Sequence, residues 1–596
     1  MLNKLKIEWK EALEKELRDY LGSEEIAPLA IGQPPKPELG DVAFPMFPYS
    51  KAAHKAPAMI ASDIASRLGD RHPAGDIILA GPYLNVRFDL PALSGMILEK
   101  VEKDGDDYGK GDFLKGRKIM VEFSCPNTNK PLHLGHMRND SLGQSVSELL
   151  KAAGAEVRKV NLINNRGVHI CKSMLAYKLF GNGETPESTH EKGDHFVGRY
   201  YVRFAQWEKE AEKAKSSNPD IVSDPSFIDP DTEAQKMLKL WEDGDKDVRE
   251  LWALMNKWTL DGLAESYRNM GISFDKYYYE SDTYKLGRSQ VMKGLEMGVF
   301  QKEEDGSVQI DLAPINLDKK VLLRRDGTTL YMTQDIGTAV ARHEDWPFDS
   351  LIYVVASEQK YHFRVLFYIL KMLGYEWADE LYHLSYGMVN LPEGKMKSRE
   401  GTVVDADDLL EELSALARNE IVEKNRENDV DDIDRTARDI ALGALNYYLL
   451  QVQPTKDMVF NPKESIAFNG NTGPYLQYTG ARISSVLRKF SESESQYSDV
   501  GFNGRVLVLD DEKELLKDVA DFPLYVRKAA ENYDPSVIAA YLYDIAKTFS
   551  HYYHDNQILK AETRELIVAR IRLSEMVLQV MKNGFRLIGI PFLEAM

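Results

Sequence analysis

The run Arg117-Lys118-Ile119-Met120-Val121-Glu122-Phe123 half-alternates polar and apolar residues and is rich in strand formers. A loop follows, then a helical run from Met137 to Ala153, stopped by Gly154, which can take the left-handed turn that closes a helix. Glu156 to Ile163 is strand-like again. Strand, loop, helix, strand is a βαβ unit with a right-handed crossover, and it commits this part of the chain to a parallel sheet. The loop, Cys125-Pro126-Asn127-Thr128-Asn129-Lys130-Pro131-Leu132-His133-Leu134-Gly135-His136, leaves the carboxyl end of the first strand, where open α/β sheets bind ligands.

The residue types in that loop suit phosphate chemistry. Free N–H groups and the helix dipole favour an anion at the helix start. Gly135 lets a ring or a phosphate approach the backbone. His133 and His136 are three apart and point the same way once helical. Lys130 adds a positive charge just upstream.

His133-Leu134-Gly135-His136 resembles the HIGH signature of class I aminoacyl-tRNA synthetases. Glu122-Phe123-Ser124-Cys125-Pro126-Asn127 and Lys130-Pro131 around it resemble arginyl-tRNA synthetases in particular. The resemblance implies an α/β class I synthetase: a Rossmann-type nucleotide fold with a helical insertion, a small α/β N-terminal domain and an all-α C-terminal bundle.

Bulk properties fit a multidomain protein. A chain of 596 residues predicts three or four domains at roughly 100–200 residues each. No apolar run reads as a membrane span and no secretory leader is visible, so no membrane partner is expected. Two cysteines, Cys125 and Cys171, make neither a disulfide framework nor a cysteine-rich zinc site, which predicts a reducing cytoplasm and no zinc. The net charge of −19 argues against a generally basic nucleic-acid binder. It leaves room for local basic surfaces, because phosphate contacts act over about 8 Å in physiological salt.

Residues 1–112 read as a small α/β unit: an opening amphipathic helix (Leu5, Trp9, Leu13, Leu17), a Pro/Gly-rich stretch from Ile31 to Pro48, a helix over Pro57 to Leu68, and two strands within Asp76 to Phe88 about a Gly81-Pro82 turn. Gly105 to Gly111 reads as a linker. Leu39-Gly40-Asp41-Val42-Ala43-Phe44 and Gly81-Pro82-Tyr83-Leu84-Asn85-Val86 are similar to the N-terminal extension of arginyl-tRNA synthetases, which touches the tRNA elbow. Phe44, Phe47, Tyr83 and Asn85 are candidate contacts there; Phe44 and Phe47 serve equally well as core.

Residues 113–405 are read as the catalytic unit, interrupted by a helical insertion at about 181–275 with helices over Phe196 to Lys215, Pro230 to Asp243 and Asp247 to Met270. In its second half Ser350 to Ala356 reads as a strand buried on both faces, followed by Ser357-Glu358-Gln359 and a helix over Lys360 to Leu373. The basic loop Met388-Val389-Asn390-Leu391-Pro392-Glu393-Gly394-Lys395-Met396-Lys397-Ser398-Arg399 resembles the KMSKS loop, with Lys397 and Ser398 in exchanged order. In family members lacking the usual lysine, one just before the HIGH motif is thought to compensate, and Lys130 stands there. Residues 406–596 turn helical, with helices over Asp434 to Leu450, Thr479 to Phe490, Leu524 to Asn532, Pro535 to Asp555 and Thr563 to Leu587. Their Gly473-Pro474-Tyr475-Leu476-Gln477-Tyr478 run resembles the family's anticodon-binding domain, which implies Tyr475, Tyr478 and Arg482 as RNA contacts.

The resemblance implies that L-arginine and ATP, with Mg²⁺ on its phosphates, give arginyl-adenylate, which is then passed to tRNA(Arg). Lys130, His133, His136, Lys395, Lys397 and Arg399 are the expected catalytic set. His133, Gly135, His136, Met388, Val389, Lys395 and Ser398 are expected at ATP. Arginine falls to Glu122, Ser124, Asn127, His133, Tyr331, Asp335 and Gln359, with Tyr331 and Asp335 at the guanidinium and Glu122 and Asn127 at the α-amino group. No dedicated metal cage is visible, and a monomer is the family habit. Rival readings are a class I synthetase for another amino acid such as lysine, a small nucleotidyltransferase, and an RNA-binding paralogue that lost activity.

Overall fold

The computed structural model describes residues 2–596 except 224–226, 391, 393–403, 425, 428 and 429. At its centre five parallel strands stand in the order Leu381–Tyr386, Ser350–Ala356, Lys118–Glu122, Glu156–Ile163, Lys276–Tyr279. The chain builds outward from Lys118–Glu122 on one side, then crosses to build outward on the other. The reversal lies between Lys118–Glu122 and Ser350–Ala356, and ligands of open α/β sheets bind at the carboxyl ends of such a pair. Val121, Ile352 and Val354 are fully buried there, which explains their unbroken apolar run.

The helix after the first strand spans Leu134–Ala152 and ends before Gly154, whose φ of +97° provides the left-handed close. Helices Val168–Phe180, Gly193–Ser217, Pro230–Asp243 and Lys246–Asn269 form the insertion around Phe196, Phe204, Trp241 and Trp258. Before it, Val42–Pro45, Tyr83–Arg87 and Asp76–Ala80 make an antiparallel sheet backed by helices Leu2–Leu21 and Pro57–Leu68. Six long helices between Ala406 and Leu587 make the C-terminal bundle.

Several sequence expectations change. The strands Val42–Pro45, Lys276–Tyr279 and Leu381–Tyr386 and the helix Leu90–Asp104 were not foreseen. They lie at sheet edges or beside proline and glycine, where periodicity is weak. The helix expected from Leu524 begins at Asp510, because Pro523 sits inside it rather than at its start. The expected linker is docked: Asn583 donates to the carbonyls of Gly105 (2.9 Å) and Tyr108 (2.8 Å), and the Tyr108 hydroxyl donates to Val519 O (2.8 Å).

Arg138, fully buried in the Leu134–Ala152 helix, donates to the carbonyls of Gly387 (2.8 Å), Met388 (3.4 Å), Pro454 (3.3 Å) and Lys456 (2.8 Å). Each such bond to a charged donor contributes about 1.5–3 kcal/mol, and an apolar replacement leaves buried acceptors without a donor. Arg138→Met is expected to lower the thermal denaturation midpoint by several degrees. A midpoint equal to wild type would show that those carbonyls find other donors.

Candidate active site

The site is built on the start of the Leu134–Ala152 helix. His133 is its N-cap: the His133 Nδ1 accepts from the Gly135 N–H (3.1 Å), and the His136 Nδ1 accepts from the His133 N–H (3.1 Å). The two ring centroids lie 3.8 Å apart with their planes tilted by 39°. A Cβ on residue 135 would lie 3.0 Å from the His133 ring, so Gly135 also makes room for that ring. Since both Nδ1 atoms are acceptors, each ring carries its proton on Nε2. Burial pushes the His133 imidazole down to about 4 and the His136 imidazole well below its usual value. The pair therefore presents two neutral N–H donors at neutral pH. Lys130 stands just before them, partly buried, with its pKa lowered by burial.

The strand Lys118–Glu122 runs into a strained turn. Ser124 (φ +75°) and Cys125 (φ +52°) both take left-handed backbone conformations, which side chains held from elsewhere sustain. The Ser124 N–H donates to Asn139 Oδ1 (2.6 Å), the Cys125 N–H to Asn161 Oδ1 (3.1 Å), and Asn164 Nδ2 to the Cys125 carbonyl (3.1 Å). The turn delivers Asn127 to the surface. The Ser124 hydroxyl is buried against the Tyr267 hydroxyl at 2.6 Å.

Glu122 is 5% exposed and pairs with the buried Arg342, and Asp335 acts on it electrostatically, so it lies in the same acidic neighbourhood as the residue expected at the guanidinium. The acid that sequence reading missed is Glu280, at the carboxyl end of the Lys276–Tyr279 strand. Burial pushes the Glu280 carboxyl up to about 7; Arg166 pulls it down and Asp335 adds to the rise. The only signal was a strand-like tyrosine run ending in an acid, Tyr277-Tyr278-Tyr279-Glu280. Asp335 lies one turn into the Tyr331–Asp345 helix and meets the Nε2 of His362 at 2.6 Å. Tyr331 is 74% exposed at the start of that helix, and Gln359 is exposed at the end of the Ser357–Gln359 turn. Glu280 and Gln359 thus follow the carboxyl ends of two strands of the sheet, and Tyr331 and Asp335 share the first turn of the Tyr331–Asp345 helix.

Lys395, Lys397, Ser398 and Arg399 lie outside the described residues. The flanks of their segment are described, and both meet the histidine helix. On one side Arg138 holds the carbonyls of Gly387 and Met388, and Val389 is buried in a parallel pairing with Met458. On the other, the Leu134 N–H donates to Val404 O (3.1 Å) and the Ala406 N–H to Leu132 O (3.1 Å). Asp407 is drawn to the insertion. Its Oδ2 accepts from Lys192 Nζ (2.6 Å) and Ser266 Oγ (3.1 Å) and meets His195 Nε2 at 3.1 Å. Asp194, His195 and Asp407 are close enough to hold a cation, but the Lys192 ammonium already bridges Asp194 (3.1 Å) and Asp407.

The expected RNA-facing residues divide. Phe44 is fully buried and Asn85 is 2% exposed, with its Nδ2 donating to Leu39 O (2.9 Å). Both are corrected to buried residues: Phe44 shares its sheet face with its cross-strand partner Leu84, and Asn85, on the opposite face, is tied to the turn at Leu39. The exposed aromatics are Phe47 and Tyr83, edge to face at 5.4 Å. At the other end of the molecule, Tyr478, Arg482, Arg426, Arg488 and Met596 line a cavity of about 420 Å³. The guanidinium of Arg482 lies 4.7 Å from the Tyr478 ring centroid and holds its phenol below the usual range. Tyr475 packs on Tyr543 (5.9 Å) and is not among that cavity's lining residues.

Comparison with known proteins gives consistent matches. The family described as tRNA synthetases class I (R), catalytic domain, matches residues 103–462; the DALR anticodon binding domain matches 476–596, and the arginyl tRNA synthetase N terminal domain matches 7–88. An arginine--tRNA ligase of Treponema denticola is 55% identical over 572 residues, 95% of this chain and 94% of the relative. One from Treponema pallidum is 47% identical over 601 residues, 99% of each chain. Among solved structures, the arginyl-tRNA synthetase of Thermus thermophilus superposes with a TM-score of 0.79 at 26% identity, covering 98% of this chain and 99% of that one. That of Plasmodium falciparum shares the fold, with a TM-score of 0.74 at 18% identity and 98% coverage of both chains.

A titration of ring C–H resonances by NMR is expected to place His133 near pH 4. A folded pKa depressed below the unfolded value near 6.5 means stability present above pH 6.5 and lost as pH falls towards 4. A His133 midpoint near 6.5 would refute the capping account.

Proposed function

The chain belongs to the class I arginyl-tRNA synthetases, and from that premise we propose that it joins L-arginine to ATP and transfers the arginyl group to the 3′-terminal adenosine of tRNA(Arg). One arginine carboxylate oxygen forms a bond to the α-phosphorus of ATP. The bond from that phosphorus to the bridging oxygen breaks, and pyrophosphate leaves with the electron pair. The attacking carboxylate is already ionised, so no base is required, and catalysis rests on alignment and on charge neutralisation. A hydroxyl of the terminal adenosine then attacks the adenylate carbonyl and releases AMP; class I membership favours the 2′-OH.

The observation that supports this reading is the pair of neutral Nε2–H donors on His133 and His136 at the start of the helix that follows the Lys118–Glu122 strand, in a fold whose Glu280 follows the Lys276–Tyr279 strand and whose Asp335 lies one turn into the Tyr331–Asp345 helix. The histidines donate to phosphate oxygens without adding charge. Lys130, with Lys395, Lys397 and Arg399, supplies the cations for the triphosphate, which enters as its Mg²⁺ complex; Ser398 and the backbone of Met388 and Val389 take part in seating ATP. Asp335 and Glu280 match the planar donor fork of a guanidinium, with Tyr331 over the alkyl chain. Gln359 and Asn127 take the polar backbone end of the amino acid. Phe47 and Tyr83 offer stacking faces to unpaired bases at the tRNA elbow, and Tyr478 with Arg482 does so at the anticodon. We assign the enzyme to the cytoplasm as a monomer.

ATP–pyrophosphate exchange assayed across all amino acids is expected to proceed with arginine alone, and only with tRNA present. Exchange with lysine would overturn the specificity assignment. Lys130→Ala is expected to cut exchange by about 10²-fold, the scale of one preorganised transition-state contact, with tRNA affinity unchanged. Near-normal exchange in that variant would remove Lys130 from the catalytic set.

A further inference from the structure

Between the second and third strands of the sheet, the turn Asn165-Arg166 joins two parts of the molecule that the reaction described above does not connect. One is the helical insertion. Trp252 Nε1 donates to the Asn165 carbonyl (2.6 Å). Arg166 forms an ion pair with Glu242, and its guanidinium lies 3.9 Å from the Tyr284 ring centroid and 5.5 Å from that of Trp241. The Arg166 side chain is only 10% exposed. The other part is the end of the third strand. Asn165 Oδ1 accepts from the Ser281 N–H (2.9 Å) and Asn165 Nδ2 donates to the Ser281 Oγ (3.0 Å), one residue beyond Glu280. The Arg166 Nε, buried, makes no hydrogen bond.

We propose that Arg166 is a specificity-determining positioning residue: gripped by the insertion, it fixes the acidic strand end that receives the arginine side chain, so that the seating of the insertion sets how tightly a cationic amino acid is held. The proposal rests on the assignment of arginine to the Glu280–Asp335 pair and deepens it.

The physical argument has two parts. Mechanically, Asn165 and Arg166 are adjacent, so a shift of the Pro230–Asp243 helix that drags Glu242 and Trp241 also drags the clamp on Ser281 and hence Glu280. Electrostatically, Glu280 is partly desolvated and faces Arg166 from the turn and Asp335 from the Tyr331–Asp345 helix, with His362 behind Asp335. Two acids at one site resist joint ionisation. The Arg166 charge offsets Asp335 and keeps Glu280 available as a carboxylate near neutral pH. The Glu242 pair holds that guanidinium against the rings of Tyr284 and Trp241. A point charge on a lysine stem would restore the sign of the field but not the stacking on Tyr284 and Trp241. This coupling gives tRNA that bears on the insertion a route to the arginine pocket.

The test is steady-state exchange by the full-length enzyme with saturating tRNA. Wild type must first exchange with arginine; if it does not, the functional reading fails and this proposal is not what failed. Arg166→Gln is expected to raise KM for arginine about tenfold, the scale of one unit in a carboxylate's pKa, with KM for ATP unchanged. In wild type, kcat/KM for arginine should fall as pH drops through about 7, where Glu280 takes up its proton. In Arg166→Gln that midpoint should move to higher pH, and Arg166→Lys should return it towards wild type. Parallel rises in both KM values, a lower melting point with unchanged kinetics, or an unshifted pH midpoint would each overturn the proposal. Should Arg166→Gln not fold, Glu242→Gln leaves Arg166 in place without its anchor; a severalfold rise in KM for arginine alone is expected, and kinetics equal to wild type would overturn the proposal.

Discussion

The buried guanidinium of Arg138 is the constraint on which the rest of the site depends. It reaches from the histidine helix into a ring of carbonyls from two segments, Gly387 and Met388 before the basic loop and Pro454 and Lys456 at the entry to the helical bundle. Among the described residues no acidic side chain hydrogen-bonds it; carbonyl dipoles do that work, and burial lowers its pKa to about 10, so it stays charged at neutral pH. Arg138 fixes both of those segments to one helix, and backbone bonds from Leu134 to Val404 and from Ala406 to Leu132 bring the other described flank of the basic segment to the start of the same helix. The bundle cannot move without disturbing the phosphate-binding end of the sheet.

The start of the histidine helix is poor in negative charge. His133 and His136 are neutral donors, and burial pushes the neighbouring Asp140 carboxyl up to about 8, so it too is neutral at pH 7. Neutral N–H donors cost little to desolvate and gain strength against a developing negative charge in a dry cleft. Elsewhere in the site Asp335 is held by His362, and the Glu280 carboxyl, pushed up to about 7 by burial, sits between the influences of Arg166 and Asp335. A chain with net charge −19 can thus handle a triphosphate, with attraction supplied locally.

The strained Ser124–Cys125 turn links these two ends. Asn139 from the histidine helix, and Asn161 and Asn164 from the second strand, hold its backbone in place. Asn139 in turn donates to Val354 O (2.8 Å) in the strand across the reversal point. The short amide side chains of Asn139, Asn161 and Asn164 therefore tie this turn to the strands on both sides of it.

Local pattern in the sequence determined a good deal. The βαβ unit, the histidine signature, and helices such as Pro57–Leu68 and Pro230–Asp243 were legible because periodicity and capping act over a few residues. The split of roles among like residues was not legible. Phe44 went to the core while Phe47 stayed outside, and Glu122 is buried against Arg342 while Glu280 follows a strand end beside Arg166. A side chain's charge and exposure depend on what packs against it, and those partners lie hundreds of positions away, as Arg138 and its carbonyls do. Sequence named the chemistry available to this protein; only tertiary packing decided which copy of each group carries it.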